Sequence, residues 1–417
     1  MTAEYKTIEN LSKKTKRKIL ICIRENSDIS RLEIARLTGL STATVTRIVD
    51  SLMNDDDLVE ERGVRALPKG RPRKPLHFKG YDKYVIGIDL GTTYIRGVLS
   101  DFNTESIKEI ELITEAHKGY EHVLSKVVEV VHSLQDTNLI DSSKIFGVGL
   151  AVAGLINVSS DSVEYSPAFD WKDVKLKEDL QEKISLPLLY DNVSRVMALG
   201  ELQYGEGRNF NNFIVINAGY GIGAGIIINK RLFYGTDGMG GEFGHTPLMG
   251  DKLITCSCGN TNCLSAYSSG DAIAKRAVLK LKNGEGSLLS SLSGGEMNLI
   301  TAEMIAKASE QGDRLAQDVF QESVTYLGSA IAGMVNIFNP EVVFVGGGLS
   351  LNGPVFWDSL IRAIDENSLY KRSTKCVIKP VTYPGKSAIY GAVGLVLKDV
   401  LNFKMKNLRM AIGTNPI

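Results

Sequence analysis

Residues 84–99 read Tyr-Val-Ile-Gly-Ile-Asp-Leu-Gly-Thr-Thr-Tyr-Ile-Arg-Gly-Val-Leu. Two apolar runs flank Gly91-Thr92-Thr93, the pattern of a β-hairpin that turns at a glycine. Working outward, Ile145–Val152, Phe213–Ala218, Gly223–Ile228 and Val342–Gly347 read as further strands, several with glycine at their ends. Helical stretches lie between them, over 122–135, 194–203, 300–310 and 314–338. Strands interleaved with helices argue for an α/β class. A glycine turn after a strand says little about phosphate by itself, because backbone sterics favour glycine there with or without an anion.

The chain has 417 residues, which at roughly 150 residues per domain predicts two to three domains. Hydrophobic residues make up 43% and charged residues 23%, which excludes wholesale disorder and fibrous classes. The net charge is zero, but it is unevenly spread. Residues 1–80 hold 17 of the 48 Lys and Arg and 11 of the 48 Asp and Glu, so the head carries +6 and the rest −6. A basic head on an acidic body suggests a nucleic-acid module fused to something else. No apolar run approaches the ~20 residues a bilayer needs, and MTAEYKTIENLSKKTKRK lacks a signal-peptide core. A cytoplasmic location with no membrane partner is expected. Five cysteines in a reducing compartment do not predict a disulfide framework. Cys256, Cys258 and Cys263 fall within eight residues and point to metal, whereas the isolated Cys22 and Cys376 read as core.

In the head, Ile19, Leu20 and Ile23 sit at helical spacing. Ser30-Arg31-Leu32-Glu33 is a capping box that opens a second helix with apolar Leu32, Ala35 and Leu37. Gly39 turns the chain and Ser41 caps a third helix, in which Val45, Ile48, Val49 and Leu52 form one buried stripe. Its open side offers Ser41, Thr42, Thr44 and Arg47 where a recognition helix meets base edges. Leu58–Glu61 and Gly63–His77 then read as a β-wing. Its tip, Gly70-Arg71-Pro72-Arg73-Lys74-Pro75, presents Arg71, Arg73 and Lys74 to a narrow minor groove. The expected partner is double-stranded operator DNA; the bland alternative is a dimerisation module followed by a solvated basic linker.

Five segments together resemble the ROK family of repressors, open reading frames and sugar kinases. They are Asp89-Leu90-Gly91-Thr92-Thr93, Asp191-Asn192, Gly241-Glu242-Phe243-Gly244-His245, Cys256-Ser257-Cys258-Gly259-Asn260-Thr261-Asn262-Cys263-Leu264 and Val345-Gly346-Gly347-Gly348. The resemblance spans essentially the whole chain, including the helix-turn-helix that marks the repressor branch. It implies a winged helix-turn-helix at 1–79, then an α/β body with the two-lobed actin-like ATPase, sugar-kinase-like fold. The lobes are expected at 80–200, completed by a C-terminal helix over 388–402, and at 201–387, with the zinc loop and a dimerisation surface. It also implies a homodimer or tetramer. His245 with Cys256, Cys258 and Cys263 makes a closed Cys₃His set suited to structural zinc, with no open position for chemistry.

The residues that the kinase branch needs are degraded. Family kinases place an Asn-Asp pair before a helix ending in Gly-Glu, and the Asp takes the proton from the sugar hydroxyl. Anchored on Leu199-Gly200-Glu201, Asn192 matches the Asn and Val193 occupies the base position. Loss of a general base costs ~10²–10⁴-fold in rate. The neighbouring Asp191 is a poor substitute, because adjacent residues at a strand end point in different directions. The family's Asp-Leu-Gly-Gly-Thr loop carries Thr92 at its second glycine, and its Gly-Thr-Gly loop is Gly219-Tyr220-Gly221. No enzyme activity is expected, and ATP is not expected as a cofactor.

The resemblance assigns Asn192, Glu242 and His245 to a sugar cleft. Two other sugar contacts are missing, with Ser265 after Cys263-Leu264 where the family has Glu, and Ala168 upstream of Trp171 where it has Asn. The reading is a repressor of carbohydrate-utilisation genes controlled by a sugar or sugar derivative in a degenerate kinase cleft. The alternatives are a sugar kinase with an appended DNA module, or a regulator with no small ligand.

Overall fold

The structure is a computed structural model and describes residues 3–26, 28–63, 74–249, 253–369 and 376–403, with backbone alone for residues 3–11. The head contains α1 (Ala3–Glu25), α2 (Arg31–Thr38) and α3 (Thr42–Asn54). The capping box forms: Ser30 Oγ accepts from the Glu33 backbone N–H, and the Glu33 carboxylate accepts from the Ser30 N–H at 2.9 Å. Gly39, at φ +71°, makes the left-handed turn that a side chain would strain, and the Thr44 N–H donates to Ser41 Oγ at 3.1 Å. Val45, Ile48, Val49 and Leu52 are buried as their spacing requires. In α2 the buried pair is Ile34 and Ala35, while Leu32 and Leu37 face outward. Eight residues carry too little periodicity to fix which side packs. The wing strands β1 (Val59–Glu61) and β2 (Leu76–Phe78) pair antiparallel, with Val59 opposite Phe78.

The body repeats one plan twice. Its first lobe runs through β3 (Tyr84–Leu90), β4 (Tyr94–Asp101), β5 (Ser106–Ile113), α4 (Tyr120–Gln135) and β6 (Ile145–Val152). A three-stranded sheet follows, of β7 (Leu155–Asn157), β8 (Ser162–Ser166) and β9 (Trp171–Val174), then α5 (Leu176–Gln181), β10 (Leu188–Asn192) and α6 (Val193–Gln203). The second lobe has β11 (Phe213–Ala218), β12 (Ile222–Ile228) and β13 (Arg231–Leu232), and the helices α7 (Ser265–Ser268), α8 (Gly270–Lys282), α9 (Leu289–Leu292), α10 (Ala302–Glu310) and α11 (Arg314–Phe338). It closes with β14 (Val342–Gly346), α12 (Gly353–Asn367) and β15 (Val377–Pro380), before α13 (Ser387–Leu401).

The two large sheets have orders β10-β6-β3-β4-β5 and β13-β12-β11-β14-β15. Each is an antiparallel meander of three strands extended by two parallel strands on the side of its first strand. Residues 84–99 do form the hairpin, with Leu90 paired to Ile95 across the turn. Between the sheets lie α13, against β3 and β6, and α6, against β11 and β12. Residue 200, where the sequence reading divides the lobes, lies inside α6, which packs on α13 as well as on the second sheet. The two helices cross on glycine, because a Cβ at Gly391 would lie 2.1 Å from the Val196 carbonyl oxygen. No helix of the described residues is long and apolar enough to cross a membrane.

Candidate functional site

The metal-ligand candidates do converge. One donor atom from each of His245, Cys256, Cys258 and Cys263 lies within 4.8 Å of every other. Cys256 Sγ is 3.7 Å from His245 Nδ1, and Cys258 Sγ is 3.5 Å from Cys263 Sγ. Sulfurs bound ~2.3 Å from a tetrahedral ion stand ~3.8 Å apart, so these spacings fit a metal centre. The loop is built to hold them. The Leu248 N–H donates to the Asn262 carbonyl at 2.6 Å and the Leu264 N–H to that of Thr246 at 2.9 Å, which brings His245 beside Cys263. Gly259, at φ +92°, lets the chain reverse between Cys258 and Cys263, and its N–H donates to the Cys256 carbonyl. Burial and the neighbouring Cys258 and Cys256 thiols push the Cys263 thiol up to about 12. That shift favours the protonated thiol, and a bound cation would reverse it by stabilising the thiolate.

At the start of α6 the polar groups are committed to structure. Asn192 Oδ1 caps the helix, accepting from Ser194 N–H at 2.9 Å and Arg195 N–H at 3.4 Å, and its Nδ2 donates to the Gly154 carbonyl at 2.9 Å. Val193 is half-buried and packs against the core shared by α6 and α13. Asp191 is buried, and its Oδ1 accepts from Arg195 Nε at 2.7 Å and from the Asn192 N–H at 2.7 Å. Arg195 is 1% exposed; its Nη1 donates to the Gly238 carbonyl at 2.6 Å, and its guanidinium lies 5.5 Å from the Tyr234 ring centre. Arg195 Nη2 lies 2.7 Å from Asp191 Oδ1 but outside hydrogen-bonding geometry, so its charge is paired while its N–H is not satisfied. The carboxylate next to the base position is thus spent on a buried ion pair. Sequence reasoning missed Arg195; the signal was an arginine four residues after Asp191, set among the apolar Val193, Val196, Met197 and Ala198.

Glu242 is half-buried, and burial pushes its carboxyl up while His245 and Arg195 pull it down. Gly347 sits at φ +87°, where a Cβ would lie 2.4 Å from the Ala218 carbonyl oxygen, so close packing alone requires that glycine. Tyr220 stands 62% exposed at the β11–β12 turn. Asp89, opposite Arg96 in the β3–β4 ladder, is pushed up to about 6 by burial despite that cation. Trp171 is buried between the rings of Phe169 and Tyr120.

On the head, Ser41, Thr42 and Arg47 are exposed and Thr44 is half-buried, so the start of α3 is open. Lys74 is exposed and 3.3 Å from Glu61 on its own wing. Arg71 and Arg73 lie outside the described residues.

A winged helix-turn-helix on a duplicated, two-lobed α/β body defines a DNA-binding module joined to a sugar-kinase-like scaffold. The chain belongs to the ROK family, whose pattern matches residues 85–399, and a winged helix-turn-helix DNA-binding pattern matches residues 12–56. It is 31% identical over 385 residues to the xylose repressor of Caldicellulosiruptor bescii, covering 92% of this chain and 96% of that one. The crystal structure of a ROK family transcriptional regulator, a homolog of the E. coli MLC protein, superposes with a TM-score of 0.80 at 25% identity. It covers 97% of this chain and 100% of its own. A ROK family glucokinase from Streptomyces griseus, in complex with glucose and AMPPNP, aligns with a TM-score of 0.67 at 27% identity, over 76% of this chain and 99% of its own.

Proposed function

We propose that the protein is a DNA-binding transcriptional repressor of carbohydrate-utilisation genes, controlled by a sugar or sugar derivative held between its lobes, and that it is not a kinase. The observation that carries the reading is the start of α6: valine at the base position and the adjacent Asp191 locked by Arg195. A proton acceptor is missing where phosphoryl transfer from ATP to a sugar hydroxyl needs one. Glu242 is the group most available to a sugar hydroxyl, with His245 beside it and Asn192 lending its remaining amide proton. His245, Cys256, Cys258 and Cys263 hold zinc, which orders the loop. Ser41, Thr42, Thr44 and Arg47 meet the major groove, and Arg71, Arg73 and Lys74 the minor groove.

An effector that binds the closed lobes better than the open ones shifts the population toward closure. In a homodimer or tetramer, closure moves the two heads off the half-site spacing of the operator. D-xylose is the first sugar to try, given the Caldicellulosiruptor relative. The test is ATP-dependent phosphorylation of D-xylose and D-glucose by the natural protein and by Val193→Asp. The natural protein is expected to give no product, and V193D at most a trace, because Arg195 and the altered phosphate loops remain. Turnover by the natural protein would restore the kinase reading. The regulator without a small ligand would gain if a sugar panel produced no thermal shift.

A further inference from the structure

We propose that Arg24 is a positioning residue through which the DNA-binding head reads the state of the cleft, by gripping the far end of α6. The inference rests on the regulatory reading above for its purpose, but not for its geometry.

At the cleft end, α6 is tied to the first lobe by Asn192, whose amide reaches the Gly154 carbonyl, and to the second by Arg195, whose Nη1 reaches that of Gly238. Eleven residues later, a span of ~16 Å at 1.5 Å per residue, the helix ends at Gln203. There Arg24, from the last turn of α1, donates from Nη1 to Gln203 Oε1 at 2.7 Å and from Nη2 to the Gln203 carbonyl at 3.1 Å. Its guanidinium also lies 5.3 Å from the Tyr204 ring centre and 5.9 Å from that of Phe78 in the wing. One side chain therefore joins α1 and the wing to the C-terminus of α6.

The rest of the rod is stiff. Ser194–Glu201 are buried, and the Glu201 carboxylate accepts from Thr382 N–H at 2.6 Å and Thr382 Oγ1 at 2.7 Å. A helix held this way moves as a body rather than bending. The seam it reaches is packed, with Ile23, Leu76, Phe102, Tyr204 and Val393 in one core, and beside Arg24 it opens a pocket of about 320 Å³ lined also by Arg62, His77, Phe78 and Tyr81.

The experiment needs neither operator nor effector, so its outcome is separable from the fate of the sugar-sensing reading. Amide hydrogen exchange is measured on the zinc-loaded full chain in four forms: natural, Asn192→Ala, Arg24→Ala and the double variant. Loss of the helix cap is expected to speed exchange in α2 and β2 about fivefold, the factor an N-cap typically represents. In the Arg24→Ala background the same cleft substitution is expected to leave the head unchanged while still loosening α6. Sites this far apart ordinarily add, so non-additivity is the signature of a mechanical link, which a merely structural role for Arg24 would not produce. Gln203→Ala removes the grip from the α6 side and should reproduce the uncoupling if Arg24→Ala fails to fold. An equal effect of Asn192→Ala with and without the grip, or no effect on the head in the natural background, would overturn the proposal.

Discussion

The metal loop and the first turn of α6 are joined by the segment Gly238–His245, yet they keep opposite things. The loop keeps four donor atoms within 4.8 Å of one another, on a backbone folded to hold them. The helix start keeps its cap, in Asn192, and beside it holds a buried ion pair between Asp191 and Arg195. On the reading proposed above, the difference teaches that the architecture around a kinase cleft outlasts the reaction: groups that position backbone stay, and groups that move protons go.

The sharpest way to break that contrast is to empty the loop. Cys258→Ser, or exhaustive chelation, is expected to reduce bound zinc from one per chain to none by metal analysis. A large fall in the unfolding temperature should accompany it, because a closed Cys₃His site contributes folding energy outright. Unchanged zinc content would show that the four donors do not form the site.

Next comes the ion pair. Arg195→Met leaves Asp191 buried without its cation and should cost about 3–5 kcal/mol in denaturant unfolding, whereas Asp191→Leu combined with Arg195→Met should recover most of the loss. A harmless single variant would mean that the pair does not lock the helix start.

The smallest effect belongs to Asp89, near the end of β3. Burial pushes the Asp89 carboxyl up to about 6 in the folded protein, against 3.8 for an ordinary aspartate, so the unfolded chain releases its proton first as pH rises. The resulting penalty is absent below about pH 4, grows through the window up to about pH 6 and is complete at pH 7. Asp89→Asn should therefore stabilise the protein by on the order of 2–3 kcal/mol at neutral pH, the gain fading toward pH 4. A gain that does not change with pH would remove burial as its cause.

What the sequence made legible follows from range. The α3 stripe Val45, Ile48, Val49 and Leu52 repeats within one helix, and the hairpin at 84–99 closes within sixteen residues, so local pattern finds both. Three cysteines within eight residues announce a metal loop, but His245 lies eleven residues before the first of them and entered through the family resemblance. What buries Arg195 was not legible. Its burial depends on carbonyls at Gly238 and Gly240, more than forty residues away. Arg24 meets Gln203 across 179 residues, a contact that only the assembled seam creates. The packing of α6 was not legible for the same reason: it follows β10 in sequence but packs on α13, β11 and β12.

The most direct test of the account is genomic-fragment capture with the full-length protein at ~150 mM salt, where non-specific phosphate contacts are weak. The account predicts recovery of a palindromic site beside carbohydrate-utilisation genes, and release of that site by a sugar that those genes process. Recovery of no specific fragment, together with ATP-dependent phosphorylation of a sugar by the same preparation, would contradict it.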